Sequence, residues 1–137
     1  MNQILVALVG NPNTGKSSLF NALAGLRQQV GNYPGVTVEK KTGQFQLDDT
    51  EVMLVDVPGT YSLAPHSPDE QIAVDVLLGT QPGTARPDVV LCVVDASNLA
   101  RNLYLVTQVL EMGLPVVVAL NMVDISAERG LEIDIPA

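Results

Sequence analysis

The chain has no tryptophan, one cysteine, one histidine and few basic residues, and each scarcity removes a class of function. Cys92 cannot form an internal disulfide, and its place in the apolar run 89–94 reads as a small buried hydrophobe suited to a reducing compartment. His66 stands alone as a loop residue, and without a His/Cys cluster the usual zinc and soft-metal sites are excluded. Seven Lys and Arg against fifteen Asp and Glu leave a net charge of −8. That balance argues against a general nucleic-acid binder and against a protein lying on an anionic membrane surface. No apolar run reaches the roughly eighteen residues of a spanning helix and no signal peptide is present, so the chain itself reads as soluble. Aromatics make up only 4% while hydrophobic residues reach 47%. The core must therefore be built of Val, Leu, Ile and Ala, which suits a parallel sheet covered by helices. At 137 residues the chain reads as one domain, 1–137, with enough length to bury a core.

Apolar runs alternate with helical patterns, the signature of an α/β domain. Strands are expected at 3–9, 38–47, 52–57, 89–94 and 114–120. The first helix is expected at 16–25, with Leu19, Leu23 and Leu26 at helical spacing. A second helix at 69–78 carries Ile72, Val76 and Leu77 inward, behind Ser67 as cap and Pro68 as first residue. A third is marked by Leu99, Leu103, Val106 and Leu110 and closed by Gly113. Polar, Gly- and Pro-rich stretches at 27–37, 58–68 and 79–87 read as loops. The alternation in 38–47 changes parity at Gly43, which predicts a bulge or bend. Asp48-Asp49 reads as the turn of a hairpin joining 38–47 to 52–57.

Chemistry concentrates in the run Gly10-Asn11-Pro12-Asn13-Thr14-Gly15-Lys16-Ser17, followed by Ser18. It fits the phosphate-cradling pattern G-x-x-x-x-G-K-[ST] between an apolar strand and a helix, the context such a loop requires. Gly10 and Gly15 allow the backbone to curl around a polyphosphate, and the helix opening at Lys16 adds the positive end of its dipole. Lys16 can reach β- and γ-phosphates, and the Ser17 hydroxyl can ligate Mg²⁺. Three further segments narrow the ligand. Asp56-Val57-Pro58-Gly59 ends a strand, where Asp56 can hold a Mg²⁺ water and the Gly59 N–H can approach a γ-phosphate. Thr37 offers a hydroxyl to complete the Mg²⁺ shell, the alternative being a strand-starting threonine. Asn121-Met122-Val123-Asp124 places a carboxylate where guanine offers N1–H and an amino group and adenine offers no donors.

In this order the motifs resemble the Ras-like, translation-factor-type GTPases. Within them the chain is most similar to the N-terminal G domain of the bacterial ferrous iron transport protein B family. The closer match rests on Gly10 to Asn21, Val30-Gly-Asn-Tyr-Pro-Gly-Val-Thr-Val-Glu39, Asp56 to Leu63 and Asn121 to Asp124, and it covers essentially the whole chain. The resemblance implies a phosphate-loop GTPase fold: a mostly parallel sheet with one antiparallel hairpin strand and helices on both faces. It implies that Thr37 is the switch I magnesium ligand, with Gly35 and Val36 beside it, and that Pro58 to about Pro68 is switch II. It also implies a parent protein with a helical spacer and a membrane permease, at the cytoplasmic face of the bacterial inner membrane, with nucleic acid absent as a partner and homo-oligomerisation left open.

Two departures from small GTPases at large qualify the chemistry. Met122 stands where a lysine stem usually covers the nucleotide, which the iron-transport family shares and which predicts weaker guanine binding. Thr60 follows Gly59 in place of the glutamine that orients attacking water. Asn13 matches a subset of GTPases that hold a monovalent cation beside the phosphates, so K⁺ at Asn13 is expected, the alternative being a turn-forming asparagine. The resemblance also implies a last strand and helix beyond Asp134-Ile135-Pro136-Ala137, so the G domain reads as incomplete at its C-terminal end; Ser126-Ala127 comes too soon after Asp124 to be the guanine loop between them. The expected catalytic residues are Lys16, Thr37, Gly59 and Asn13. The expected nucleotide contacts add Gly10, Asn11, Pro12, Thr14, Gly15, Ser17, Ser18, Gly35, Val36, Asp56, Pro58, Asn121, Met122 and Asp124. The expected activity is slow GTP hydrolysis that signals to a ferrous iron transporter. A ribosome- or RNA-associated GTPase and a nucleotide-binding module without turnover are the alternatives, and the acidic balance speaks against the first of these.

Overall fold

A computed structural model describes residues 2–12, 14–64 and 66–121. β1 (Asn2–Gly10) occupies the centre of a sheet of order β2-β3-β4-β1-β5-β6, formed with β2 (Gln28–Asn32), β3 (Glu39–Leu47), β4 (Thr50–Asp56), β5 (Val89–Asp95) and β6 (Val116–Asn121). β4, β1, β5 and β6 run parallel, while β3 pairs antiparallel with both β4 and β2. The α/β sheet with an antiparallel hairpin is the architecture expected from the alternation of apolar runs and helical patterns.

The central strands bury both faces, and their side chains separate by parity. Val6 and Leu8 of β1, Val52 and Leu54 of β4 and Val93 of β5 pack with Phe20 and Ala24 of α1 (Lys16–Ala24). Ala7, Val9, Val55, Val90, Cys92 and Val94 face α2 (Pro68–Leu78) and α3 (Leu99–Glu111) on the other side. α2 starts as its sequence predicts: the Ser67 hydroxyl accepts from the Glu70 N–H at 3.3 Å and donates to the Glu70 carboxylate, Pro68 opens the helix, and Gly79 at φ +79 closes it. Cys92 is buried, and burial pushes its thiol up from 9.0 to about 12.

Two expectations need correction. The stretch 27–37 is not one loop, because Gln28–Asn32 forms the edge strand β2 through backbone pairing with Glu39–Gly43. Only Val30 in Gln28–Asn32 favours a strand, Gln, Gly and Asn having little intrinsic preference for that state; the partner supplies it. Gly43 makes no bulge, since β3 and β4 stay in one-to-one register from Lys41↔Asp56 to Leu47↔Thr50. A Cβ at Gly43 would lie 2.5 Å from the Ala24 Cβ, so this glycine admits close approach of α1 to the sheet. On α3 the buried residues are Asn102, Leu105, Val106 and Val109, whereas Leu103 and Leu110 are exposed. Leu26 lies past the end of α1 and is fully exposed.

Candidate functional site

The loop after β1 is shaped by contacts that exclude side chains. A Cβ on Gly10 would fall 2.9 Å from the Val93 carbonyl oxygen of β5. Gly15 caps α1 at φ +86, where an added Cβ would stand 2.0 Å from the Asn121 Nδ2. Both the dihedral and the space require glycine there. Within the loop the buried Thr14 hydroxyl donates to the Asn11 carbonyl at 2.9 Å. The Asn121 side chain, at the end of β6, donates to the Thr14 carbonyl at 2.8 Å. Two motifs separated by more than a hundred residues are thereby joined by one hydrogen bond.

A cavity of about 440 Å³ lies against this loop, lined by Asn11, Pro12, Gly15, Lys16, Ser17, Ser18 and Gly59. Asn11 is buried, and its side-chain amide has no hydrogen-bond partner among the described residues, which leaves it free for a polar ligand. An adjoining cavity of about 260 Å³ shares Gly15 and Ser18 and has the apolar walls Leu19, Val93, Ala119 and Leu120, with Asn121 at its rim. The Lys16 ammonium pairs with the Asp56 carboxylate, both side chains being largely buried. The sheet brings them together because β1 and β4 are parallel neighbours, in register at Leu8↔Asp56, so both strands deliver their C-terminal ends to the same edge.

The segment after β4 is tied to the same loop. The Val57 N–H donates to the Leu8 carbonyl at 3.0 Å, and the Thr60 N–H to the Gly10 carbonyl at 3.1 Å. Gly59 packs on Pro12, where a Cβ would come within 3.3 Å of the Pro12 Cα. Thr60 is buried and its hydroxyl donates to the Ser62 carbonyl at 2.6 Å, so that side chain serves the turn.

The structure thus gathers Asn11, Pro12, Gly15, Lys16, Ser17, Ser18 and Gly59 around one cavity, with Asp56 joined through Lys16 and Asn121 through Thr14. Gly10 shapes the loop from beneath. Gly35, Val36, Thr37 and Pro58 do not line either cavity. Thr37 is exposed in the short connection from β2 to β3, where Gly35 adopts φ +78. Asn13, Met122 and Asp124 lie outside the described residues, as do the stretch 126–127 and the expected incomplete C-terminal end.

Sequence reasoning missed Tyr33, which is fully buried beneath the β2–β3 connection. Its hydroxyl donates to the Asp56 carbonyl at 3.0 Å, and its N–H donates to the Val38 carbonyl at 2.9 Å, closing the connection that carries Thr37. Burial, and secondarily the Asp56 charge, pushes the phenol well above its ordinary value, so the group stays protonated and donating. The available signal was an aromatic in a polar loop of a chain with few aromatics.

Comparison with known proteins places this architecture. The family model for ferrous iron transport protein B matches residues 4–137. The Fe(2+) transporter FeoB of Escherichia coli strain K12 is 53% identical over the whole of this chain, which spans 18% of that protein's length. Among solved structures, the G domain of the T. maritima FeoB iron transporter superposes with a TM-score of 0.86 at 47% identity, covering 97% of this chain and 78% of that one. A GDP-bound S. thermophilus NFeoB variant superposes with a TM-score of 0.83 at 50% identity, covering 98% and 50%. Among the described residues no helix is long and apolar enough to cross a membrane. With the family model spanning nearly every residue and the phosphate-loop architecture shared with solved G domains, this chain belongs to the ferrous iron transport protein B family.

Proposed function

We propose that this chain binds GTP and GDP and hydrolyses GTP to GDP and phosphate. The observation that carries this reading is the Asn121 to Thr14 hydrogen bond, which sets the start of Asn121-x-x-Asp124 directly against the phosphate loop. Phosphates suit the cavity lined by Lys16, Ser17 and Gly59, and the guanosine suits the adjoining cavity walled by Leu19 and Ala119. Asp124 would then accept from the guanine N1–H and amino group. GDP in the related S. thermophilus structure supports the same assignment.

The residues present also fit Mg²⁺. Ser17 lines the phosphate cavity and Asp56 reaches it through Lys16, an oxygen-only donor pair that suits a small hard cation held largely by nucleotide phosphates. Ser17 and Asp56 would hold it, with Thr37 joining if the β2–β3 connection closes. When bound, the ion neutralises charge on the β- and γ-oxygens. Lys16 exchanges its Asp56 partner for those oxygens, and the Gly59 N–H stabilises the transferred group. The Asn13 side-chain oxygen would hold K⁺ beside the phosphates, the positive charge coming from the cation where other GTPases obtain it from an inserted arginine.

The Thr60 hydroxyl is engaged by the Ser62 carbonyl and is not offered to water, which favours slow intrinsic turnover and keeps a binding module without turnover as the second reading. Single-turnover hydrolysis with and without Mg²⁺ separates the two: Mg²⁺-dependent phosphate release supports the enzyme, and tight GDP binding without release supports the module. Faster hydrolysis in K⁺ than in Na⁺, erased by Asn13→Ala with GDP affinity retained, supports the cation role; identical rates in the two salts remove it. In the parent transporter the nucleotide state would be passed through a helical spacer to a permease that moves ferrous iron across the bacterial inner membrane, with this domain on the cytoplasmic side.

A further inference from the structure

α3 grips the segment that follows Gly59 at two points. The Arg101 guanidinium lies 4.0 Å from the centroid of the Tyr61 ring. Two helical turns later, the Gln108 Oε1 accepts from the Leu63 N–H at 2.8 Å. A spacing of two turns puts both side chains on one face of α3, beside the buried Leu105. Between the two grips, the Ser62 carbonyl accepts from the Thr60 hydroxyl, and the Thr60 N–H donates to the Gly10 carbonyl. A continuous series of contacts therefore runs from α3 through Tyr61, Leu63 and Thr60 to the loop after β1, with Gly59 held at the cavity wall against Pro12. Tyr61 is itself exposed, so burial alone does not fix this segment.

We infer that Arg101 and Gln108 are positioning residues that hold 61–63 on α3 and thereby keep Gly59 aimed at the site of the γ-phosphate. The inference rests on the GTP reading of the cavity. A segment held in place before binding gives up no ordering entropy when the triphosphate arrives, whereas a released one must be ordered at that moment. GDP lacks the γ-phosphate that Gly59 would meet, so the two grips act on the triphosphate selectively.

The test measures affinity for GDP and for a non-hydrolysable GTP analogue, single-turnover GTP hydrolysis, and amide exchange at Leu63. Arg101→Ala and Gln108→Leu are expected to weaken analogue binding and slow hydrolysis by about three- to fivefold each. GDP affinity should stay within about twofold, because no contact to the β-phosphate is lost. Leu63 should exchange faster in both variants. Arg101→Lys retains a cation over the ring and Gln108→Glu retains an acceptor, so both should recover the loss. Parallel loss of GDP and analogue affinity would overturn the inference in favour of a merely structural role. Variants indistinguishable from wild type, in a wild-type chain that binds the analogue, would overturn it while leaving the site reading intact. A wild-type chain with no affinity for either nucleotide would overturn the site reading itself.

Discussion

Three glycines allow strain and crowding to be separated by the same substitution, alanine. At Gly35 the backbone sits at φ +78 and an added Cβ meets nothing within 4 Å, so Gly35→Ala costs only the left-handed conformation, about 1–2 kcal/mol. At Gly43 no positive φ is involved, but the Cβ would come within 2.5 Å of the Ala24 Cβ. Pushing α1 off β3 costs about 1–3 kcal/mol, partly offset by the roughly 0.5–1 kcal/mol that alanine recovers over glycine. Gly15→Ala meets both penalties. It takes φ +86 and drives a methyl to 2.0 Å from the Asn121 Nδ2, which must swing away and release the Thr14 carbonyl. Strain of about 1–2 kcal/mol and a lost hydrogen bond of about 0.5–1.5 kcal/mol sum to about 1.5–3.5 kcal/mol. Because both fall on the loop that forms the cavity, nucleotide affinity should drop roughly ten- to three-hundredfold. Gly35→Ala and Gly43→Ala should instead lower denaturant midpoints and leave GDP affinity near wild type. The assays are titration with a fluorescent GDP analogue and urea unfolding. GDP binding by Gly15→Ala equal to wild type would refute the assignment of this loop as the phosphate site.

Asp124→Asn should weaken GTP binding while xanthosine triphosphate gains, because an amide faces guanine's donors less well than a carboxylate; equal GTP affinity in competition titrations would remove the guanine assignment. Tyr33→Phe deletes the donor to the Asp56 carbonyl and should cost about 1 kcal/mol, a melting-temperature loss of roughly 3–5 °C by scanning calorimetry, with no change meaning the hydroxyl is idle. Native stability should fall as pH rises from 9 toward 12, because the unfolded chain releases the Cys92 proton while the fold retains it. The slope from this group approaches about 1.4 kcal/mol per pH unit, and Cys92→Ala should flatten the unfolding profile between pH 9 and 10.

Much of this molecule was legible in its residue order. Val6 to Val9 and Val89 to Val94 read as buried strands, Ser67-Pro68 reads as the opening of a helix, and Gly10 to Ser17 carries the phosphate-loop pattern, because each is a local pattern with a local physical cause. The assignment of β2 failed for the complementary reason: Gln28 to Asn32 become a strand only when Glu39 to Gly43 lie alongside, and backbone pairing over that distance leaves no mark in composition. Gly43 likewise carried the right signal with the wrong cause, since the helix that demands its missing side chain is remote in sequence. The amphipathic pattern located α3 but not its inward face; packing on β5 chose Leu105, Val106 and Val109 over Leu103 and Leu110. At the site, the sequence by itself supplied the groups expected to handle phosphate and guanine, because that expectation depends on charge, hydroxyls and missing side chains. The tertiary structure alone decided that Asn121 braces Thr14, that Lys16 rests on Asp56, that Tyr33 pins the Asp56 backbone and that α3 holds Tyr61 and Leu63. Each of those contacts joins residues far apart in the chain, and only the closed sheet brings them within bonding distance.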